Sequence, residues 1–207
     1  MDNRPVVAHS SMELGIDVHV LLGLTGSVAS IKAPELVHLF QEEGFTVNVV
    51  ATKAAHHFFD KEDITVPVYE DEDEFTCWKS RGDDVLHIKL KNWADIFVIA
   101  PMSANTLAKI SNGFADNLLT CIARAWYFGN NKRCGNRKKI GIFAPAMNTD
   151  MWNNPLTVQQ KTLLQGTLNW HVIPPISKML MCGEFGEGAM EEPKKIVEMV
   201  RQLWDSK

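Results

Sequence analysis

A three-layer α/β domain, with one parallel sheet carrying helices on both faces, is the fold this sequence predicts, on two observations. Short, apolar, β-branched runs recur along the chain, and each ends in a polar turn leading to a stretch with helical spacing. The runs are apolar throughout rather than alternating, so both of their faces need cover. With 207 residues, 45 % of them hydrophobic, the chain can bury one sizeable core without disulfides or metals. Residues 17–207 are expected to form a single domain and 1–16 a flexible N-terminal segment.

Residues 17–24 (DVHVLLGL) predict a buried parallel strand that exits through Thr25-Gly26-Ser27. A helix is expected from Val28 to Glu43, where Ile31, Leu36, Leu39 and Phe40 recur at helical spacing; Pro34 is tolerable only in its first turns, and Gly44 stops it. A strand over 45–51 (FTVNVVA) and a short helix over 53–59 (KAAHHFF) complete a βαβ-like period. From 60 to 84 the sequence is acidic and turn-rich and reads as a long covering loop. Order returns at Val85–Leu90, and a buried strand follows over 94–100 (ADIFVIA). The turn 101–106 then leads to one long helical stretch reaching about Trp126. Past a basic segment (GNNKRCGNRKK), a strand is expected at 140–144 (IGIFA), a helix over Leu156 to about Leu168, a short extended piece at His171–Ile173, and a closing amphipathic helix from Pro193 to Trp204.

Charge and composition narrow the function. A net charge of −4 supplies no basic field for a nucleic-acid backbone or an anionic membrane, so a small-molecule ligand is expected. The N-terminus lacks an export signal, and no apolar run approaches the ~20 residues that span a bilayer. Cys77, Cys121, Cys134 and Cys182 form no CxxC pair, which fits reduced thiols in the cytoplasm rather than a zinc knuckle or a disulfide framework.

In an open α/β sheet, ligands bind beyond the carboxyl ends of the strands, where helix N-termini present backbone N–H groups. Gly26-Ser27-Val28, Thr52-Lys53, Ser103-Ala104-Asn105-Thr106 and Pro145-Ala146-Met147-Asn148 all occupy such exits. Any one of these hydroxyls or amides is naturally a helix cap, but four exits of this kind favour a site for a phosphate and the polar edge of a flat ring. Gly23-Leu24-Thr25-Gly26 lacks the third glycine of a dinucleotide fingerprint and no GxxxxGK[ST] occurs, which leaves a mononucleotide flavin among the candidates.

Taken together, His87 in VLHI, the PxSANT turn at 101–106, PAMNxxMW at 145–152 and Cys182-Gly183 in MCGEFGEGAM resemble the flavin-containing cysteine decarboxylases. The stretch DEDEFTCWKSRGDDVLHIKLKNWADIFVIAP and the run DNLLTCIARAW are most similar to the eukaryotic branch acting on 4'-phosphopantothenoylcysteine. The resemblance covers residues 17–205 and implies a homotrimer of flavodoxin-like or Rossmann-like protomers, with FMN and substrate between neighbouring subunits. It places cofactor contacts on Gly26, Ser27, Val28, Thr52, the Ser103–Thr106 turn and Ala146, with Lys53 beside them. Asn148 is the implied substrate contact, His87 the active-site histidine and Cys182 the proton donor. The segment 129–137 departs from the pattern in being longer and more basic.

Chemistry gives these roles a reason. A carboxylate next to a saturated carbon leaves slowly because its electrons have no acceptor, and cysteine supplies none. Oxidation of CH2–SH to a thioaldehyde by FMN creates a sink; CO2 then leaves an enethiolate, which needs a proton on carbon before re-reduction. Cys182, in a glycine-rich loop able to close over substrate, suits that donation. The other thiols are expected to be structural or surface groups. Asn148 offers a neutral N–H to a carboxylate, though it is equally natural as a helix cap.

The acidic run Glu70-Asp71-Glu72-Asp73-Glu74 lacks EF-hand spacing and reads as a solvated loop, so no metal is expected. Lys132, Arg133, Arg137, Lys138 and Lys139 read as an exposed basic loop within reach of a substrate phosphate or an acidic partner. Met147, Met151 and Trp152 read first as core or interface residues. Two rival functions share the fold, a regulatory subunit of a protein phosphatase and a decarboxylase of peptides ending in cysteine. Retention of His87, Asn148 and Cys182 weighs against the first, and VLHIKLKNWADIFVIAP gives the second no support.

Overall fold

The computed structural model describes residues 17–76, 78–126, 138–179, 183 and 185–206. Its apolar runs form a six-stranded parallel sheet: β1 (His19–Leu24), β2 (Thr46–Ala51), β3 (Val68–Tyr69), β4 (Ile96–Met102), β5 (Ile140–Pro145) and β6 (His171–Val172). The spatial order is β3-β2-β1-β4-β5-β6, with the change of direction between β1 and β4. A separate antiparallel hairpin pairs β7 (Ile176–Met179) with β8 (Phe185–Ala189).

Successive side chains on a strand point to opposite faces, and here both faces are buried. Val20, Leu22 and Leu24 of β1 enter a core closed by Leu36, Val37 and Phe40 of α1 (Ala33–Glu42) and by Ile196, Val197 and Val200 of α8 (Pro193–Asp205). Leu21, Phe97, Ile99 and Phe143 point the other way. They meet α3 (Leu86–Trp93), α4 (Ala104–Ser111), α5 (Leu118–Ala125) and α7 (Pro155–Gly166) through Leu90, Leu107, Leu119 and Leu164. Each such buried side chain contributes roughly 1.5–3 kcal/mol. The three-layer expectation holds.

Several elements differ from the sequence expectation. The helix expected from Val28 begins as a 3-10 turn over Val28–Lys32, and α1 starts only at Ala33, where Pro34 needs no donor. Gly44, at φ +79°, ends it as expected. The loop expected over 60–84 contains β3 on the sheet edge and a short helix, α2 (Asp71–Thr76). The long helix expected to Trp126 is two: α4 stops where Gly113 takes φ +76°, and α5 restarts with an Asn117–Thr120 capping box. The glycine-rich segment near 183–188, expected as a mobile loop, contributes β8 instead.

Lys138 and Lys139, expected in the basic loop, stand just before β5 at the amino edge of the sheet. Lys138 Nζ donates to the carbonyls of Leu203 and Ser206 at the end of α8, and Lys139 Nζ to those of Lys91, Asn92 and Ala94 at the end of α3. These lysines cap helix C-termini, far from the carboxyl edge where a substrate phosphate would bind. The expectations for residues 1–16, the insertion at 129–137, Cys77, Cys134 and Cys182 lie outside the described residues.

Candidate active site

Three strand exits converge at the carboxyl edge of the sheet, on the switch between β1 and β4. β1 leaves through Thr25, whose buried hydroxyl donates to the Pro101 carbonyl at 2.8 Å and accepts the Ser103 N–H at 2.8 Å. That one side chain ties the first exit to the β4 exit. The Ala146 N–H reaches the Met102 carbonyl at 3.0 Å and so sets the β5 exit beside them. A helical turn starts at each exit behind a polar cap: Ser27 for the 3-10 turn, Ser103 for α4 and Asn148 for α6 (Thr149–Asn153).

Together the exits floor a cleft of about 530 Å³, within the range of small-molecule sites. Gly26, Ser27, Val28, Ser103, Ala104, Asn105, Ala146 and Asn148, each expected from sequence, line it. Thr52, Lys53, Thr106 and His87 do not. Thr106 is turned inward, donating its backbone N–H to Ser103 Oγ at 3.2 Å, and Lys53 is exposed. Thr52 lies one strand over, its backbone N–H on the Leu24 carbonyl at 3.0 Å. His87 stands in the first turn of α3, a helix whose Leu86 and Leu90 pack into the same core as α4 and α5. A second hollow of about 360 Å³, lined in part by Arg124, Trp126 and Trp170, contains none of the expected residues.

The cleft also has walls that the sequence did not reveal. Phe58, Met147, Met151, Met179 and Met190 supply apolar surface, and Lys178 faces Glu192 across it at 3.1 Å. The hairpin closes one side, with the Met147 N–H on the Gly188 carbonyl at 2.9 Å. Gly188 adopts φ +129°, and a side chain there would collide with the Met147 carbonyl oxygen. The alternation of glycines in GEFGEG was the available signal: it marks a strand pressed against backbone.

Several features fit a flavin mononucleotide. The starts of the 3-10 turn and α4 line the cleft at Val28, Ala104 and Asn105, which suits a phosphate, and methionine walls suit a flat ring. A Cβ on Gly26 would stand 2.7 Å from Ala54 Cβ, so glycine lets the first exit pass this close to the segment after β2. The buried Thr52 Oγ1 makes no hydrogen bond within the protein, leaving a polar atom for a ligand to satisfy. Asn148 Oδ1 accepts the Met151 N–H at 3.1 Å, which leaves the amide donors for a ligand. Burial first, then the carboxylates of Glu74, Asp116 and Asp71, push the Cys121 thiol up, which works against a thiolate there. Among the described residues no cluster of His, Cys, Asp and Glu is arranged to hold a metal, and no helix is long and apolar enough to cross a membrane.

Comparison with known proteins gives the family. Residues 9–205 match the family described as Flavoprotein. A probable phosphopantothenoylcysteine decarboxylase of Arabidopsis thaliana is 50 % identical over 90 % of this chain and 89 % of its own length. The phosphopantothenoylcysteine decarboxylase of Mus musculus is 47 % identical over 89 % and 86 %. Among solved structures, a cysteine-to-serine mutant of PPC decarboxylase complexed with pantothenoylaminoethenethiol superposes with a TM-score of 0.84 at 48 % identity, covering 92 % of this chain and all (100 %) of that one. The FMN binding protein AtHal3 superposes at 0.82 with 49 % identity, over 92 % and 98 %. With the strand exits, the cleft and this similarity running along nearly the whole chain, the protein belongs to the flavoprotein family, among the phosphopantothenoylcysteine decarboxylases.

Proposed function

We propose that this chain catalyses the FMN-dependent decarboxylation of 4'-phosphopantothenoylcysteine to 4'-phosphopantetheine in coenzyme A biosynthesis, as a cytoplasmic homotrimer with its sites between neighbouring subunits. The observation that carries the reading is the convergence of the Gly26–Val28, Ser103–Asn105 and Ala146–Asn148 turns on one cleft. Gly26, Ser27, Val28 and the turn from Ser103 to Asn105 would hold FMN, with Ala146 against it and the orphaned Thr52 hydroxyl one strand over. When bound, FMN supplies the electron sink that a saturated cysteine carboxylate lacks.

The chain's own residues bind, orient and move protons. Asn148 turns its amide donors toward the substrate carboxylate and holds it without adding charge. The hairpin β7–β8 excludes water from that side of the cleft. His87 acts as a base or positions the carboxylate, and Cys182 delivers a proton to the carbon that has lost CO2. His87 does not line the cleft that Asn148 lines within one subunit, so a site made by two subunits would bring them together where one subunit does not. Val28, Ile31, Met151, Met179 and Phe185 are exposed about the cleft and hairpin, which suits cover by a second copy. The ligand in the solved mutant, an ethenethiol, is decarboxylated and unsaturated, as a reaction halted before its last step would leave it.

The test is reconstitution. The purified protein, incubated with FMN, should show visible flavin absorbance, elute as a trimer and release CO2 from 4'-phosphopantothenoylcysteine faster than from a peptide ending in cysteine. A colourless protein that cannot be loaded with FMN would sink the proposal.

A further inference from the structure

α3 begins behind Val85, a residue with no side-chain acceptor for the first amides of the helix. Glu74, in the last turn of α2, reaches across to supply one: its Oε2 accepts the backbone N–H of His87 at 3.0 Å. Its other oxygen, Oε1, lies 2.6 Å from the ring Nδ1 of the same residue. Both side chains are largely shielded, Glu74 at 18 % and His87 at 25 % exposure. The carboxylate is itself held in place, because α2 is tied down. Asp71 Oδ1 accepts the Leu118 N–H at the start of α5 at 2.8 Å, and Asp73 Oδ2 accepts the Glu70 N–H at 2.8 Å.

This geometry has a chemical consequence for the imidazole. An ionised carboxylate only accepts hydrogen bonds, so the nitrogen facing it must carry the proton. The neutral ring then holds its hydrogen on Nδ1 and presents Nε2 with a lone pair. The backbone bond fixes where the ring is attached, and the ring bond fixes how it is turned. A carboxylate serving only as a helix cap would need the first bond and not the second.

We infer that Glu74 is the positioning residue of the active site, holding His87 in a single orientation with Nε2 free to face the substrate. This rests on the reading of His87 as an active-site residue. The acidic run that reads as a solvated loop thus places one of its carboxylates behind the histidine. Glutamine at position 74 would keep the shape but offer a single acceptor oxygen to two N–H groups. Either one bond is lost, or the amide NH2 turns to Nδ1 and drives the ring proton to Nε2.

The experiment uses the full chain loaded with FMN and labelled with ring-15N histidine, the His87 signals being assigned by their loss in His87→Asn. In the unmodified protein the neutral ring should show a protonated Nδ1 and a bare Nε2, a result that needs no variant of Glu74. In Glu74→Gln the proton should move to Nε2 or divide between the two nitrogens. Decarboxylation kcat should fall about 10–100-fold, as when orienting partners of other histidines are removed. KM and FMN content should change by less than about threefold, the pattern of a lost transition-state interaction. A ring proton on Nε2 in the unmodified protein overturns the inference. So does an unchanged kcat in Glu74→Gln alongside an inactive His87→Asn, which would leave Glu74 a helix cap. An active His87→Asn removes the reading of His87 itself, whatever Glu74 does.

Discussion

Replacement of Gly188 by alanine should detach the hairpin from the cleft without unfolding the protein. Gly188 has φ +129°, where an L side chain costs about 1–3 kcal/mol. The new methyl would also press on the Met147 carbonyl oxygen and stand 3.4 Å from the Asn148 carbonyl carbon; such overpacking against backbone costs about 1–3 kcal/mol more. The strain cannot pass into either main core, since the hairpin forms its own two-stranded sheet, a unit of marginal stability by itself. It should therefore be released by local opening. Hydrogen exchange at the Met147 N–H, bonded to the Gly188 carbonyl at 2.9 Å, reports that opening directly. A local loss of even 2 kcal/mol accelerates exchange about thirtyfold, at 1.4 kcal/mol per tenfold. Turnover should fall with it, while amides of β1 and β4 keep their protection. Gly186→Ala is the control: its φ is not in the left-handed region and its methyl would meet the Thr149 side chain rather than backbone, so its effect should be smaller. Unchanged Met147 exchange in Gly188→Ala, or an equal loss of protection in β1, would refute the reasoning.

Asn148→Asp should keep the protein folded, since aspartate caps α6 as well as asparagine, yet lower turnover more than about tenfold by setting a carboxylate against that of the substrate; an equal loss of FMN would move Asn148 to the cofactor. Thr25→Val should cost about 1–3 kcal/mol by stranding the Pro101 carbonyl and the Ser103 N–H. At about 2–4 °C per kcal/mol for a chain of this size, a calorimetric Tm within 1 °C of the parent, taken as roughly the error of such a comparison, would show that this tie carries little. Cys182→Ser exchanges a thiol of reference pKa ~8.5 for a much weaker acid, so CO2 release should continue while an unsaturated thiol accumulates in the mass spectrum. Absence of CO2 release would place Cys182 before decarboxylation.

The parts of the fold visible in the sequence are those whose side chains share one demand. β1, β2, β4 and β5 are apolar on both faces because both are covered, and a run such as IFVIA has no other use in a protein of this size. β3 escaped because two residues at the sheet's edge carry no period, whereas β6, equally short, was legible as the extended piece at His171–Ile173. The break between α4 and α5 was hidden for the opposite reason. Ile110, Leu118 and Ile122 all enter the same core, so apolar spacing continues across a chain that turns at Gly113. α3 is only weakly amphipathic, and its first turn depends on Glu74, thirteen residues upstream. In the site, the exits on the cleft floor were legible as turn chemistry, whereas the hairpin wall and Thr25 were not. A threonine at a strand end looks like any turn residue until the second strand it bonds is known.

Charge explains why so much of the site rests on neutral groups. Two cations line the cleft, and each faces a carboxylate: Lys32 pairs with Glu35 at 2.9 Å and Lys178 with Glu192 at 3.1 Å. Both pairs are substantially exposed, so they add little to stability, but they leave the described cleft with little excess positive charge. In the proposed reading, an anionic ligand held there would depend on N–H groups from the starts of the 3-10 turn and α4 and on the Asn148 amide. Such donors are short-ranged and directional, and they are less sensitive to salt than paired surface charges. They also hold a carboxylate in place without stabilising it as strongly as a fixed cation would. That distinction matters for a reaction in which the carboxylate must leave as neutral CO2, because a tight ion pair formed in the ground state and lost in the transition state would slow the step it was meant to serve.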